Sequence, residues 1–220
     1  MENKASQKTS LLSSKLKSRI NFLGFIGIIG ETLLITIFAI LHILNSDIDP
    51  AINYISEYAN SPYSALFRFS LIIHGIGMIA IATGLAISLP KSKFKNLSIT
   101  FLGAASIGVI LGGIFSVDPP GVTYSVAGTI HQITAIVSFP LEIGALIFFS
   151  CIFKNTPPWN SFAATTKVIA IISIVFLLWL SIAITTQSLP GLAERMAFII
   201  FFLWETLVAI RLLKYKTATN

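Results

Sequence analysis

Residues 168–184 read VIAIISIVFLLWLSIAI. The run holds no charge, no proline and no glycine, and its only polar side chains are Ser173 and Ser181. A helix that crosses a bilayer needs ~20 mainly apolar residues. The apolar and polar positions do not alternate, so the run is no half-buried strand. Open strands cannot sit in lipid with unpaired backbone groups, and the short alternating segments of a closed barrel are nowhere visible. The reading is a transmembrane helix, bounded by Lys167 on one side and Thr185, Thr186 and Gln187 on the other.

Five further runs read the same way: Ile20 to Leu44, Ala65 to Leu89, Leu97 to Val117, Val126 to Phe153 and Met196 to Leu213. Of the 220 residues, 55% are hydrophobic and 11% charged, against about a quarter charged in a soluble domain. A water-soluble globular protein is excluded, and so is a disordered one. The single cysteine, Cys151, rules out an internal disulfide and argues against a cysteine zinc site. The expected fold is all-α: a polytopic bundle of six transmembrane helices over residues 20–215. A basic tail, residues 1–19, is expected to be unstructured through Ser14, and residues 216–220 form a second tail.

Basic residues set the orientation, because they collect on the cytoplasmic side. With the N-terminus inside, Lys4, Lys8, Lys15, Lys17, Arg19, Lys91, Lys93, Lys95, Lys154, Lys167, Arg211, Lys214 and Lys216 all fall inside, and only Arg68 and Arg195 fall outside. Both termini are therefore expected in the cytoplasm. These charges border the membrane, where anionic headgroups attract them, so the basic balance points to lipid and away from nucleic acid. The first apolar run is too long for a signal-peptide core and reads as a retained span. Asn96-Leu97-Ser98 fits a glycosylation pattern but falls on the cytoplasmic side. The expected location is a prokaryotic cytoplasmic membrane. Membrane lipids are the expected partners, with self-association an open option.

The longest outside connection, Asn45 to Ser64, alternates polar and aromatic residues (Tyr54, Tyr58, Tyr63) and is expected to fold back over the bundle mouth. Prolines precede each returning helix at Pro62, Pro119-Pro120 and Pro190, where a missing N–H costs nothing. Ala104, Gly108 and Gly112 recur every fourth residue in the third span, the spacing that lets helices approach closely in lipid. Pro140, inside the fourth span, is either a tolerated membrane proline or a kink with a ligand-facing carbonyl.

Ionisable groups in spans are costly and face the bundle interior. His42, Arg68, Asp118, His131, Glu194 and Arg195 fall near the outer face, with His74 about two turns deeper. Glu31, Glu142 and Glu205 fall in the middle or inner half. Glu31 to His42, His131 to Glu142 and Glu194 to Glu205 share one spacing, which puts each pair on one helix face ~16 Å apart. His131, Thr134, Ser138 and Glu142 form a polar stripe on one face of the fourth span. It reads either as a proton or ion path or as buried groups hydrogen-bonded between helices.

Several of these residues carry a resemblance. Tyr54-Ile55-Ser56-Glu57-Tyr58, Pro62 and Arg68 are followed by Phe115-Ser116-Val117-Asp118-Pro119-Pro120-Gly121 at the end of the third span. His131 opens the fourth span, and Pro190-Gly191-Leu192-Ala193-Glu194-Arg195 introduces the sixth. Over roughly residues 20 to 215 the chain resembles the prokaryotic membrane family catalogued as domain of unknown function 998. That resemblance implies a six- or seven-helix integral membrane protein and no particular activity. A looser likeness, through Ile55-Ser56-Glu57 and His131, is to the six-span Frag1/DRAM/Sfk1-type proteins.

An outer site of this kind admits several chemistries. The leading one is binding of a lipid headgroup or small ligand in an accessory or transport role. Arg68 or Arg195 would pair with phosphate, and Glu57, Asp118 or Glu194 would hold those arginines when the site is empty. The alternative is a membrane hydrolase or transferase acting on lipid, with Ser56 as nucleophile, His131 as base and Asp118 as orienter. A metal variant would place His74, Asp118 and His131 around one zinc ion. A minor alternative is b-type haem held by two of His42, His74 and His131. No resident cofactor is expected in the leading reading.

Overall fold

The computed structural model describes residues 2–119, 121–123 and 125–215, with side chains from residue 12 onward. Pro120 and the 216–220 tail, including Lys216, lie outside the described residues. The chain forms helices α1 (Glu2–Leu44), α2 (Ser64–Ser88), α3 (Lys93–Ile114), α4 (Val126–Lys154), α5 (Ala163–Thr186) and α6 (Pro190–Leu213). Short 3₁₀ turns at Ile55–Asn60 and Asn160–Phe162 complete it. All six helices are long and apolar enough to span a membrane, the first of them over Leu12–Leu44.

Most helix starts lie ahead of the apolar runs because the first turns are polar, whereas α3 ends at Ile114, three residues short of the expected Val117. Ser92 caps α3, its Oγ accepting from Lys95 N. Pro190 sits in the first turn of α6, so Glu194 and Arg195 lie inside that helix and not before it. α1 begins at Glu2, where an unstructured stretch is expected. Residues 2–19 contain no proline or glycine to interrupt a helix already nucleated downstream.

Each helix packs on the next in sequence, and α6 returns to α1 and touches α2, which closes the ring. Close approach needs small residues in lipid. Gly30 of α1 faces Gly77 of α2 so tightly that a Cβ on either would meet the other's backbone. Gly108 of α3 sits against Ser138 of α4, and a Cβ there would collide with the Ser138 hydroxyl. Gly108 and Gly112 of the α3 stripe thus lie on the polar stripe of α4, while Ala104 is exposed. Pro140 lies on the exposed face of an α4 that stays one helix. Ile136, whose carbonyl it frees, is 71% exposed. That carbonyl belongs to the exposed face of α4.

One core cluster packs the α2–α3, α4–α5 and α6–α1 end of the bundle around Phe149, Phe153, Trp159 and Trp204, with rings stacked at 4.8–5.7 Å. Trp204 Nε1 donates to Thr166 Oγ1 at 3.1 Å. A second cluster (Leu34, Phe38, Leu41, Tyr58, Phe67, Phe202) fills the opposite end, here called the mouth, which carries the α1–α2, α3–α4 and α5–α6 connections.

Candidate functional site

The α1–α2 connection is strapped down on the mouth. Its 3₁₀ turn is capped at the start by Glu57, whose Oε1 accepts from Tyr54 N and Oε2 from Asn53 Nδ2, both at 2.8 Å. Ile55 N donates to Glu194 Oε2 of α6, and Leu192 N donates to Ala51 O at 3.0 Å. Arg195, 8% exposed, completes the strap. Its Nη1 donates to Asn53 O (2.7 Å) and Gly191 O (3.0 Å), and its guanidinium lies 5.9 Å from the Tyr58 ring centre. Arg195 Nε donates to His42 Nε2 at 3.1 Å. Arginine can only donate, so Nε2 accepts and Nδ1–H is left to donate to Phe38 O at 2.8 Å. The Tyr54 hydroxyl is pushed above its usual range by burial first, then by the neighbouring Glu194 and Glu57 carboxylates.

The C-terminus of α3 is closed from both sides. A helix leaves its last four carbonyls without partners. Leu111 O is taken by Phe115 N, leaving Gly112, Gly113, Ile114 and Phe115. Arg68 of α2 donates to Gly113 O (3.0 Å) and Ile114 O (2.7 Å). His131 Nδ1, from α4, lies 3.1 Å from Gly112 O and 2.9 Å from Phe115 O. Both are acceptors, so Nδ1 carries the proton and serves both. One cation and one imidazole therefore satisfy the whole end, on the side where the helix dipole favours positive charge.

Asp118 does different work. Its carboxylate accepts from Ser125 N and Ser125 Oγ, each at 2.7 Å. Ser125 is the N-cap of α4, accepting from Gly128 N. Asp118 thus ties the α3–α4 connection to the start of α4, and Gly128 is needed because any Cβ would strike that carboxylate.

These bonds bear on the expected sites. A Ser-His-Asp relay needs Asp118 on His131 Nδ1. That nitrogen is spent on carbonyls and Asp118 on Ser125, so the orienting bond is not formed. Ser56 shares a cavity with His131 but has no such arrangement around it. Nor are His74, Asp118 and His131 gathered for a metal: His74, six residues further along α2 than Arg68, is ~9 Å deeper. The haem pairing fails on placement: His42 and His131 bond to carbonyls at different helix ends, and His74 stands apart from both beside Glu31. Arg68, Glu57 and Glu194 all hold backbone.

Two cavities open beneath the strapped loop. A groove of about 230 Å³ between α1 and α6 is lined by Ile35, Phe38, Ala39, Phe198, Ile199 and Phe202, with His42 and Arg195 at its polar end. Ile35, Ala39 and Ile199 are exposed, so the groove faces the bundle's apolar exterior. A second cavity, about 80 Å³, begins at Ser56 and Glu194 and runs past His131, Thr134 and Ser138 to His74 and Glu142. That is room for several waters at ~10–15 Å³ each. The α4 polar stripe lines this cavity.

At its floor four helices converge. Glu31 (α1), His74 (α2), Glu142 (α4) and Glu205 (α6) are 1%, 3%, 7% and 0% exposed. His74 Nδ1 lies 3.0 Å from Glu31 Oε1 and His74 Nε2 lies 3.6 Å from Glu205 Oε2. Glu142 faces Glu205. The shared spacing of the three glutamate pairs is realised here: the inner member of each comes to one point. His74 joins this inner group and not the outer layer, because α2 carries it down to the level of Glu31. Sequence reasoning missed Ser125 and Asn53, and it placed Tyr58 in the folded-back loop without a partner. The Ser125 to Gly128 cap was legible as a hydroxyl just ahead of an apolar run; the Asn53 carbonyl and the Tyr58 ring meet Arg195, which is distant in sequence.

The family model described as a protein of unknown function (DUF998) matches residues 28–211. No curated protein and no solved structure matches the chain.

Proposed function

Starting from the fact that the chain belongs to the DUF998 family, we propose that it is a non-catalytic, lipid-binding membrane protein in an accessory or transport-related role. The α1–α6 groove supports this reading. It pairs an apolar bed open to the bundle's exterior with a buried guanidinium at one end. A lipid chain lies along Phe38, Ala39, Phe198 and Ile199, and its headgroup approaches Arg195 and His42. Two donors on Nη1 and one on Nε are spent on protein acceptors, while Nη2 has only a long contact of 3.5 Å to Tyr58. That leaves Nη2 for a phosphate oxygen. Glu57 and Glu194 hold the α1–α2 connection over the site, whereas Arg68 holds the end of α3 and stands outside the groove.

The distribution of basic residues supports both termini in the cytoplasm and the mouth on the outer side of a prokaryotic cytoplasmic membrane. Kinship with the Frag1/DRAM/Sfk1-type proteins rests on Ile55-Ser56-Glu57 and His131 alone.

Native mass spectrometry of protein released in mild detergent tests the proposal. One retained phospholipid per chain is expected. Ala39→Trp, which fills an exposed edge of the groove, should remove it while thermal stability holds. A bare wild-type mass, or retention unchanged in Ala39→Trp, refutes it.

A further inference from the structure

The cluster at the floor of the inner cavity serves no purpose in lipid binding. It brings three carboxyls and one imidazole together with no lysine or arginine among the described ion pairs. With all three carboxyls ionised, Glu31 Oε2, Glu142 Oε1 and Glu205 Oε1 are buried without a hydrogen-bond donor among the described residues, and Glu205 stands within hydrogen-bonding reach of Glu31 and Glu142. Buried acceptors in that state are rare, and each asks for a reason. His74 Nδ1 and Glu31 Oε1 are close at 3.0 Å, yet not aligned as a hydrogen bond. Close but misaligned donor atoms are what two ligands of one ion show.

We propose that Glu31, His74 and Glu205 form an intramembrane site for one first-row divalent cation of the zinc class, with Glu142 as a fourth oxygen donor on the cavity side. One ligand atom from each of the three lies within 4.8 Å of the others. Ligands around a tetrahedral zinc, with bonds of 2.0–2.2 Å, stand ~3.3 Å apart. His74 Nδ1 and Glu31 Oε1 stand 3.0 Å apart, near that value; the 3.6 Å contact of Glu205 Oε2 is to the other ring nitrogen, and one ion takes only one of the two. Glu142 is the independent sign of a ligand: it arrives from a fourth helix, is 7% exposed, carries a buried oxygen with no donor, and reaches Glu205.

The donor set selects the ion. Calcium and magnesium take all-oxygen shells, while an imidazole with carboxylates suits zinc, manganese, iron(II) or cobalt. The two charges of the ion balance Glu31 and Glu205. The edge of His74 packs on Phe202 with ring centres 5.2 Å apart, which fixes the imidazole plane. The cavity past Ser138 and Thr134 reaches His74 and Glu142 of the cluster.

The test uses tag-free, full-length protein in detergent, stripped with chelator and titrated with Co²⁺ while visible absorption is read. One equivalent should bind, with ligand-field bands that excess Zn²⁺ abolishes. Glu31→Gln, His74→Gln and Glu205→Gln should each weaken binding at least ~100-fold, the upper end of what even outer-shell changes cause. His131→Gln, higher in the same cavity, should bind as wild type does. Because a buried substitution can unfold the bundle, thermal unfolding is followed in parallel. Excess Zn²⁺ should raise the wild-type Tm and leave that of Glu205→Gln unmoved. Absence of bands in folded wild type overturns the proposal, as does binding that survives Glu31→Gln and Glu205→Gln together. Ala39→Trp separates this site from the lipid groove: it should leave the cobalt titration unchanged.

Discussion

His131→Ala should destabilise the protein whatever its activity. The ring is 7% exposed and its Nδ1–H is shared between Gly112 O and Phe115 O. Removing it orphans two carbonyls at a helix end. The shared donor counts once, at about 1–3 kcal/mol for a buried unsatisfied group. The lost ring adds a packing term, since it forms part of the cavity wall, and truncating a buried side chain costs about 2 kcal/mol or more where the site cannot collapse. Water from the cavity will repair some of this, so we expect about 2–4 kcal/mol in total. At about 2–4 °C per kcal/mol for a chain of this size, Tm should fall by about 5–15 °C. Tryptophan fluorescence during a thermal ramp in detergent reads it. His131→Gln keeps a donor and should recover part of the loss. Arg68 caps the same helix end, so Arg68→Ala and His131→Ala should couple by about 0.5 kcal/mol or more in a double-mutant cycle. If His131→Ala melts within about 1 °C of wild type, the capping role is wrong and a catalytic histidine regains its case.

Three other outcomes follow from the same contacts. Glu194→Gln keeps the acceptor oxygen but not its charge, whereas Glu194→Ala frees Ile55 N and loosens the strap; only the second should make residues 45–63 sensitive to added protease. Gly108→Val drives a side chain into the Ser138 hydroxyl and should part α3 from α4, costing about 1–3 kcal/mol as overpacking, read as a lower Tm. Tyr54, whose folded-state pKa is raised by burial and by Glu194 and Glu57, contributes stability that is complete below the usual value of 10.0 and lost as pH climbs past it. Tyr54→Phe should flatten that alkaline decline in a Tm-versus-pH series, and an unchanged slope would sink the point.

The spans were legible because lipid demands length and apolarity, both local properties of the chain. α5 was readable from Val168 to Ile184 alone, and only its polar end turns were out of reach. The outer-layer residues were legible as a group but not as roles. Arg68, Asp118 and His131 are residue types that serve catalysis, phosphate binding and helix capping equally well. Which of these they do depends on the carbonyls of Gly112 to Phe115 and the N-cap at Ser125, and nothing local to Arg68 or His131 reveals those.

By itself the sequence determined that this is a six-helix membrane bundle with its ionisable groups turned inward, because hydrocarbon tolerates no other disposition of such runs. Only the tertiary structure decided which groups meet. A helix carries a residue's depth and face in its own periodicity, but the pairing of faces depends on which helices can approach. Gly30 on Gly77 and Gly108 on Ser138 set that approach. It brings Glu31, His74, Glu142 and Glu205 to one point while Asp118 and His131 stay apart.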